Sequence, residues 1–213
     1  MINSLFSHNQ FYVQFRAPNA DELTSYVLNK PENFTQFEWA SECKVNTIDC
    51  PWEETQPLII PSLKKFGELL GTDFECNFKN PWINCYESGG YQEIHDHLGV
   101  DFASVFFPER ENNFGEFYFH DRYSNSLNPK WKEIFNFPTV WTPDISPGDI
   151  IFFPSSVFHG VKTHQSEKTR KTLSCNYTFA KSMSTENRSK SEKELAAELK
   201  RSDDAKGYDT YSK

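Results

Sequence analysis

The sequence predicts a mainly β fold, a sandwich or barrel, braced on its N-terminal side by α-helices. Three observations predict it. Seven short apolar stretches follow one another from Trp82 to Phe179 (WINCY, YQEIH, FASVFF, GEFYFH, GDIIFF, FHGV and TLSCNYTF), with turn residues between them. Strands so spaced belong to antiparallel architectures rather than to βαβ units. Aromatics make up 16% of the chain, 20 of them Phe, which suits packed sheet faces. Helical periodicity is confined to segments before and after that run.

Taken in order, QFYVQF (10–15) alternates and reads as a first strand. DELTSYVLNK follows as a short helix, with Asp21 near its cap and Pro31 as its stop. In LIIPSLKKFGELLGTDF the apolar residues Leu63, Phe66, Leu69 and Leu70 recur at helical spacing, with Pro61 placed to open the helix and Gly71 to close it. Residues 121–147 lack strand character but carry Tyr123, Trp131, Phe135, Phe137 and Trp141. They read as an ordered loop, either a lid or a packing insertion. From Ser182 the chain is polar; SEKELAAELKR reads as a short solvated C-terminal helix, capped by Ser191 with Glu194 closing a capping box. The organisation expected is one domain over 1–181, with its core over about 81–179, and a charged tail over 182–213.

The chain of 213 residues carries a formal charge of −8, which weighs against a surface that coats nucleic acid. Its five cysteines (Cys43, Cys50, Cys76, Cys85 and Cys175) form no CxxC pair, so they suggest neither a disulfide framework nor a zinc ribbon but reduced thiols in a cytoplasmic protein. No secretion signal and no stretch of membrane-spanning length is visible, and the sequence is silent on oligomeric state.

The chemistry concentrates in NCYESGGYQEIHDH (84–97) and in two later strands. On an extended backbone His95 and His97 point to the same face, which is how a rigid scaffold presents imidazoles to a first-row metal. Glu93 shares that face by the same alternation and is a candidate acceptor for an imidazole N–H. In RKTLSCNYTF the residues Arg170, Thr172, Ser174, Asn176 and Thr178 fall on one polar face. In a sandwich that face would be solvent. In a barrel it would be a wet lumen, where Arg170 could grip a carboxylate with its planar fork. GDIIFFPSSVFHGV adds His159 at the end of an apolar run.

NCYESGGYQEIHDH resembles the Asn-x-Tyr-x-x-Gly-x5-His-x-Asp segment of AlkB-type and prolyl-hydroxylase-like 2-oxoglutarate/Fe(II) oxygenases, with Asn84, Tyr86, Gly89 and His95 in register. GDIIFFPSSVFHGV and RKTLSCN resemble the distal-histidine and oxoglutarate-anchoring strands of the same superfamily. The combination looks most like a bacterial and viral branch of it. The resemblance implies a double-stranded β-helix (a jelly-roll, cupin-like barrel) and a dioxygenase, expected to be a hydroxylase, that couples oxidative decarboxylation of 2-oxoglutarate to oxidation of a substrate C–H bond. It implies Fe(II), 2-oxoglutarate as cosubstrate and O2. It makes His95 and His159 iron ligands, Arg170 the partner of the distal carboxylate, and Tyr86 and Asn84 hydrogen-bonding partners of the cosubstrate.

The family's carboxylate ligand stands two residues after the first histidine, and here that place holds His97. Three resolutions stand: His97 itself, as in the three-histidine sites of some cupin-type dioxygenases; Asp96; or Asp101. Facing and spacing favour His97. Phe106, Phe107, Phe117 and Phe119 are candidates for an apolar pocket wall, or simply core. The expected substrate is a protein side chain or a small molecule. Two other readings remain: a cupin-type enzyme without oxoglutarate, for which Arg170 has no standing use, and a non-catalytic jelly-roll module.

Overall fold

A computed structural model of the chain describes residues 10–34, 43–72, 74–122, 130, 133–134 and 138–181. The elements run β1 (Val13–Arg16), α1 (Ala20–Asn29), β2 (Cys43–Lys44), β3 (Asn46–Asp49), α2 (Trp52–Leu70), β4 (Phe74–Tyr86), β5 (Tyr91–His95), β6 (Phe102–Phe107), β7 (Phe117–His120), β8 (Val140–Trp141), β9 (Asp149–Pro154), β10 (Phe158–Val161) and β11 (Arg170–Lys181). They make two antiparallel sheets, a six-stranded one in the order β1-β9-β6-β11-β4-β3 and a five-stranded one in the order β2-β5-β10-β7-β8. This is the mainly β sandwich that the strand pattern predicts, in keeping with the jelly-roll that the resemblance implies. All seven expected strands form; β2, β3 and β8 are too short to stand out in the sequence.

The helices brace the outer face of the larger sheet. Phe66 of α2 is fully buried and stacks on Phe152 of β9 at 4.6 Å between ring centroids. Leu23 and Val27 of α1, Ile83 of β4 and Leu173, Cys175 and Tyr177 of β11 join the same cluster. A second apolar cluster lies between the sheets and includes Tyr86, Val105, Phe107, Phe117, Phe119 and Phe153. Alternation along β6 decides the membership. Phe106 goes out to the helices while Phe107 goes in, so Phe106 is core and no part of the barrel wall.

Two helix boundaries differ from expectation. α2 begins at Trp52, and both Pro57 and Pro61 lie inside it, so Pro61 does not open the helix. Each proline deprives a carbonyl one turn earlier of its donor. Burial of Thr55, Ile59, Ser62, Leu63 and Phe66 along one face carries the helix across both. Gly71 closes it as expected, in the left-handed conformation at φ 66°. At α1 the cap position is Asn19, and Asp21 sits in the first turn, paired with Arg16 at 3.1 Å. β1 starts at Val13, three residues later than the alternation suggested.

Of the 121–147 segment, Trp141 lies in β8, 52% exposed, and donates its Nε1–H to the Tyr12 hydroxyl at 3.0 Å. Tyr123, Trp131, Phe135 and Phe137 lie outside the described residues, as does the expected C-terminal helix. Among the described residues no helix is long and apolar enough to cross a membrane.

Candidate metal centre

The first histidine reaches the barrel interior through an irregularity in β5. His159 of β10 pairs with His95, but two residues further along β10 Val161 pairs with Gln92, so three steps of β5 oppose two of β10. This β-bulge inverts the phase of the alternation. Gln92 and His95 both face the barrel cavity, and the Glu93 side chain is exposed. Glu93 therefore does not place its carboxylate behind an imidazole, contrary to the strict period of two. Its backbone carbonyl does that work instead, 2.8 Å from His95 Nδ1. The bulge packs against Gly160, where a Cβ would come within 2.8 Å of the Tyr118 hydroxyl and 2.9 Å of the Gln92 carbonyl. Only glycine leaves room for it.

His97 lies beyond the end of β5 and is held by its loop. Its backbone N–H donates to the Ser155 carbonyl at 2.9 Å, and the Ser155 N–H donates to the Asp101 carbonyl at 2.9 Å. The Asp101 carboxylate accepts the Phe179 N–H at 2.9 Å, tying this loop to β11. Among the described residues, His95, His97 and His159 alone form a group of potential metal ligands, their ligand nitrogens within 4.8 Å of one another. Neither Asp96 nor Asp101 joins that group.

The hydrogen bonds select one nitrogen on each ring. His95 Nδ1 meets the Glu93 carbonyl at 2.8 Å, His159 Nδ1 meets the Val157 carbonyl at 3.0 Å, and His97 Nδ1 meets the Asn176 side-chain oxygen at 2.6 Å. Carbonyl oxygens only accept, so each Nδ1 carries the hydrogen and each Nε2 is the unprotonated nitrogen. Electrostatics agree. Burial disfavours the imidazolium form of all three, pulling His97 down to about 4 and His159 well below its ordinary value, so all three are neutral donors near pH 7.

Arg170, at the start of β11, stands opposite Tyr86 of β4. Its guanidinium is 4.8 Å from the centre of the Tyr86 ring, the residue is 4% exposed, and its Nη1 has no hydrogen-bond partner. A buried guanidinium with an unmatched donor is costly unless an anion completes it. Burial pushes the Tyr86 phenol up to about 12, so it stays protonated, and it donates to Gln92 Oε1 at 2.9 Å. Asn84 is engaged on both sides, accepting the Trp82 Nε1–H at 3.0 Å and donating to Ser174 Oγ at 2.9 Å. The imidazoles, Arg170, Tyr86 and Asn84 line one cavity. Phe117 and Val105 line it too, Phe107 sits 5.8 Å from the Arg170 guanidinium, and Phe119 packs on Tyr12.

The structure thus gathers His95, His97, His159, Arg170, Tyr86 and Asn84 around one cavity, and leaves Asp96, Asp101 and Glu93 out of it. Sequence reasoning missed Gln92, Asn176 and Trp82 as parts of the site. Asn176 was legible on the polar face with Arg170, but its bond to His97 was not. Gln92 was hidden by the bulge. Trp82, stacked on His97 at 5.9 Å, had no signal beyond being aromatic.

Three neutral imidazoles protonated at Nδ1 fit a divalent first-row metal, and a buried guanidinium with its Nη1 unmatched in the same cavity fits a dicarboxylate. Comparison with known proteins agrees. Residues 80–176 match the family model described as putative 2OG-Fe(II) oxygenase. A search of curated proteins finds no match. The fold is similar to that of a 2OG-Fe(II) oxygenase family oxidoreductase from Burkholderia pseudomallei, with TM-score 0.56 and 17% identity over 78% of this chain and 84% of that one. It is similar to the epimerase SnoN in complex with Fe3+, alpha ketoglutarate and nogalamycin RO, with TM-score 0.55 and 13% identity over 81% of each chain. It is also similar to a Pseudomonas putida prolyl-4-hydroxylase, with TM-score 0.53 and 14% identity over 78% of this chain and 91% of that one. The match of residues 80–176 and the similar folds thus relate the core of this chain to the 2OG-Fe(II) oxygenases.

Proposed function

We propose that the chain is a hydroxylase whose iron is held by His95, His97 and His159 through Nε2 and whose 2-oxoglutarate is anchored by Arg170. One observation carries this reading: three imidazoles with Nδ1 pinned to oxygen acceptors converge in the cavity into which the unmatched guanidinium faces. When bound, the iron with O2 and 2-oxoglutarate supplies the oxidising power for C–H oxidation, the cosubstrate leaving as succinate and CO2.

The residues supply the rest. The neutral imidazoles bind metal near pH 7 without first losing a proton. They also leave the site one unit more positive than two histidines and a carboxylate would, which favours a dianionic cosubstrate. Arg170 takes the distal carboxylate in its fork. Tyr86, protonated, stands at the same end, and its single hydrogen, given to Gln92 Oε1 in this structure, can turn to that carboxylate. Phe117, Val105 and Phe153 exclude water around His159. The substrate is a protein side chain or a small molecule. The similar folds of a prolyl-4-hydroxylase and of a protein holding nogalamycin RO support that class, and the charge of −8 argues against nucleic acid.

The test is an anaerobic titration of the metal-free chain with Fe(II) and then 2-oxoglutarate, watched for the visible charge-transfer band of a chelated 2-oxo acid. The expected band forms in the wild type, needs more cosubstrate in Arg170→Ala and is lost in His97→Ala. A band that survives His97→Ala would return the third-ligand role to Asp96 or Asp101. Iron binding without a band would overturn the cosubstrate assignment.

A further inference from the structure

The three imidazoles are not oriented alike. His95 and His159 each donate Nδ1–H to a backbone carbonyl two residues back in the chain, those of Glu93 and Val157. Those two Nδ1 acceptors belong to the local backbone, so no side-chain substitution removes them. His97 stands past the end of β5, where no ladder fixes its backbone. Its Nδ1 partner is a side chain 79 positions away, Asn176 of β11, at 2.6 Å. Its ring is otherwise braced by stacking on Trp82.

We infer that Asn176 is the positioning residue for His97, and that the His97–Asn176 pair together replaces the family's single carboxylate ligand; the inference rests on His97 being the third ligand. A carboxylate ligates through either oxygen and has no tautomer to set. An imidazole has two different nitrogens, and unless an acceptor holds the hydrogen on Nδ1, the bare lone pair is free to face away from the metal. Asn176 supplies that acceptor from the polar face of β11 that also carries Ser174 and Arg170. One strand then carries the positioning group of the third metal ligand near its middle and the cosubstrate anchor at its start, so their separation is set by strand geometry rather than by a loop. Histidine at 97 is workable because position 176 accepts.

The experiment is anaerobic Fe(II) titration of the full chain, read as the dissociation constant and as the position of the 2-oxoglutarate charge-transfer band, in wild type, Asn176→Ala, Asn176→Asp, His97→Ala and the His97→Ala/Asn176→Ala double variant. Loss of such an outer partner costs about 10- to 100-fold in metal affinity. The expected result is that loss, with a displaced band, in Asn176→Ala, and recovery in Asn176→Asp, which keeps the acceptor. The double variant binds no more weakly than His97→Ala alone. Asn176→Leu repeats the test at nearly the same volume should the alanine variant fail to fold. Wild-type affinity and band in Asn176→Ala, beside a weakened His97→Ala, would overturn the inference and leave the three-histidine reading standing. Additive losses in the double variant would overturn it too. No Fe(II) binding by the wild type would remove the functional reading itself, and the inference with it.

Discussion

On the helix side of β11, Leu173, Cys175 and Tyr177 are sealed beneath α1 and α2; on its barrel side, Arg170, Thr172 and Ser174 are scarcely more exposed, at 2–4%. The two faces share a strand and a degree of burial and differ in how their polar groups are met. On the helix side the Tyr177 hydroxyl lies 2.7 Å from Ser104 Oγ, a closed pair within a packed interior. On the barrel side the Arg170 Nη1 is left unmatched, and the ligand nitrogens of three imidazoles lie within 4.8 Å of one another. Depth alone therefore does not separate core from site. Along β11 the helix face closes its polar pair internally, whereas the barrel face leaves a charged donor for a ligand to complete; the unmatched Ser62 Oγ of α2 is neutral and costs less.

Changes on the two faces should separate stability from binding. The largest effect is expected on the helix side. Phe66→Ala leaves a cavity against Phe152 and costs about 3–5 kcal/mol of stability by chemical denaturation. Its Fe(II) affinity, measured on the folded fraction, stays at the wild-type value; a parallel loss of affinity would show that the faces are coupled.

Arg170→Met inverts that outcome. Removing an unmatched buried guanidinium leaves metal-free stability unchanged or higher, while 2-oxoglutarate affinity falls by about 2–4 kcal/mol. Calorimetric binding beside thermal unfolding reads both quantities. A destabilised variant with normal cosubstrate affinity would make Arg170 a structural residue.

Acid should act through the barrel side. Buried neutral, the three imidazoles have folded-state pKa values below the ordinary 6.5, with His97 near 4. As pH falls through 6.5 the unfolded chain takes up protons that the folded chain refuses, so stability is full above 6.5 and declines towards pH 4. Metal-free protein should melt several degrees lower at pH 5 than at pH 7.5, and a His97→Phe variant should lose less over the same interval. Equal losses would mean that His97 does not contribute.

The smallest effects discriminate across the β5 bulge. Glu93→Gln, on the exposed side, is expected to leave both stability and 2-oxoglutarate affinity within about 0.5 kcal/mol of wild type. Gln92→Ala, on the cavity side, removes the acceptor that competes for the Tyr86 hydrogen and should strengthen 2-oxoglutarate binding by roughly 1 kcal/mol. Reversed outcomes would place the alternation, not the bulge, in charge of this strand.

The sequence by itself determined the strand run from Trp82 to Phe179, the polar face of β11 and the chemistry of the histidine and arginine strands. Each follows from short-range rules, the alternation of side chains and the donor inventory of each residue type. Tertiary structure decided what those rules cannot reach. Burial against the larger sheet drew α2 back to Trp52 through two prolines. The gap left by Gly160 let β5 bulge, turning Glu93 out and Gln92 in. A loop pinned to Ser155 and β11 brought His97 inward past the end of its strand, where the bond from Asn176, 79 positions away, selects its free nitrogen. In each of these cases the deciding contact joins segments distant in the chain, and its energy is absent from any local window of the sequence.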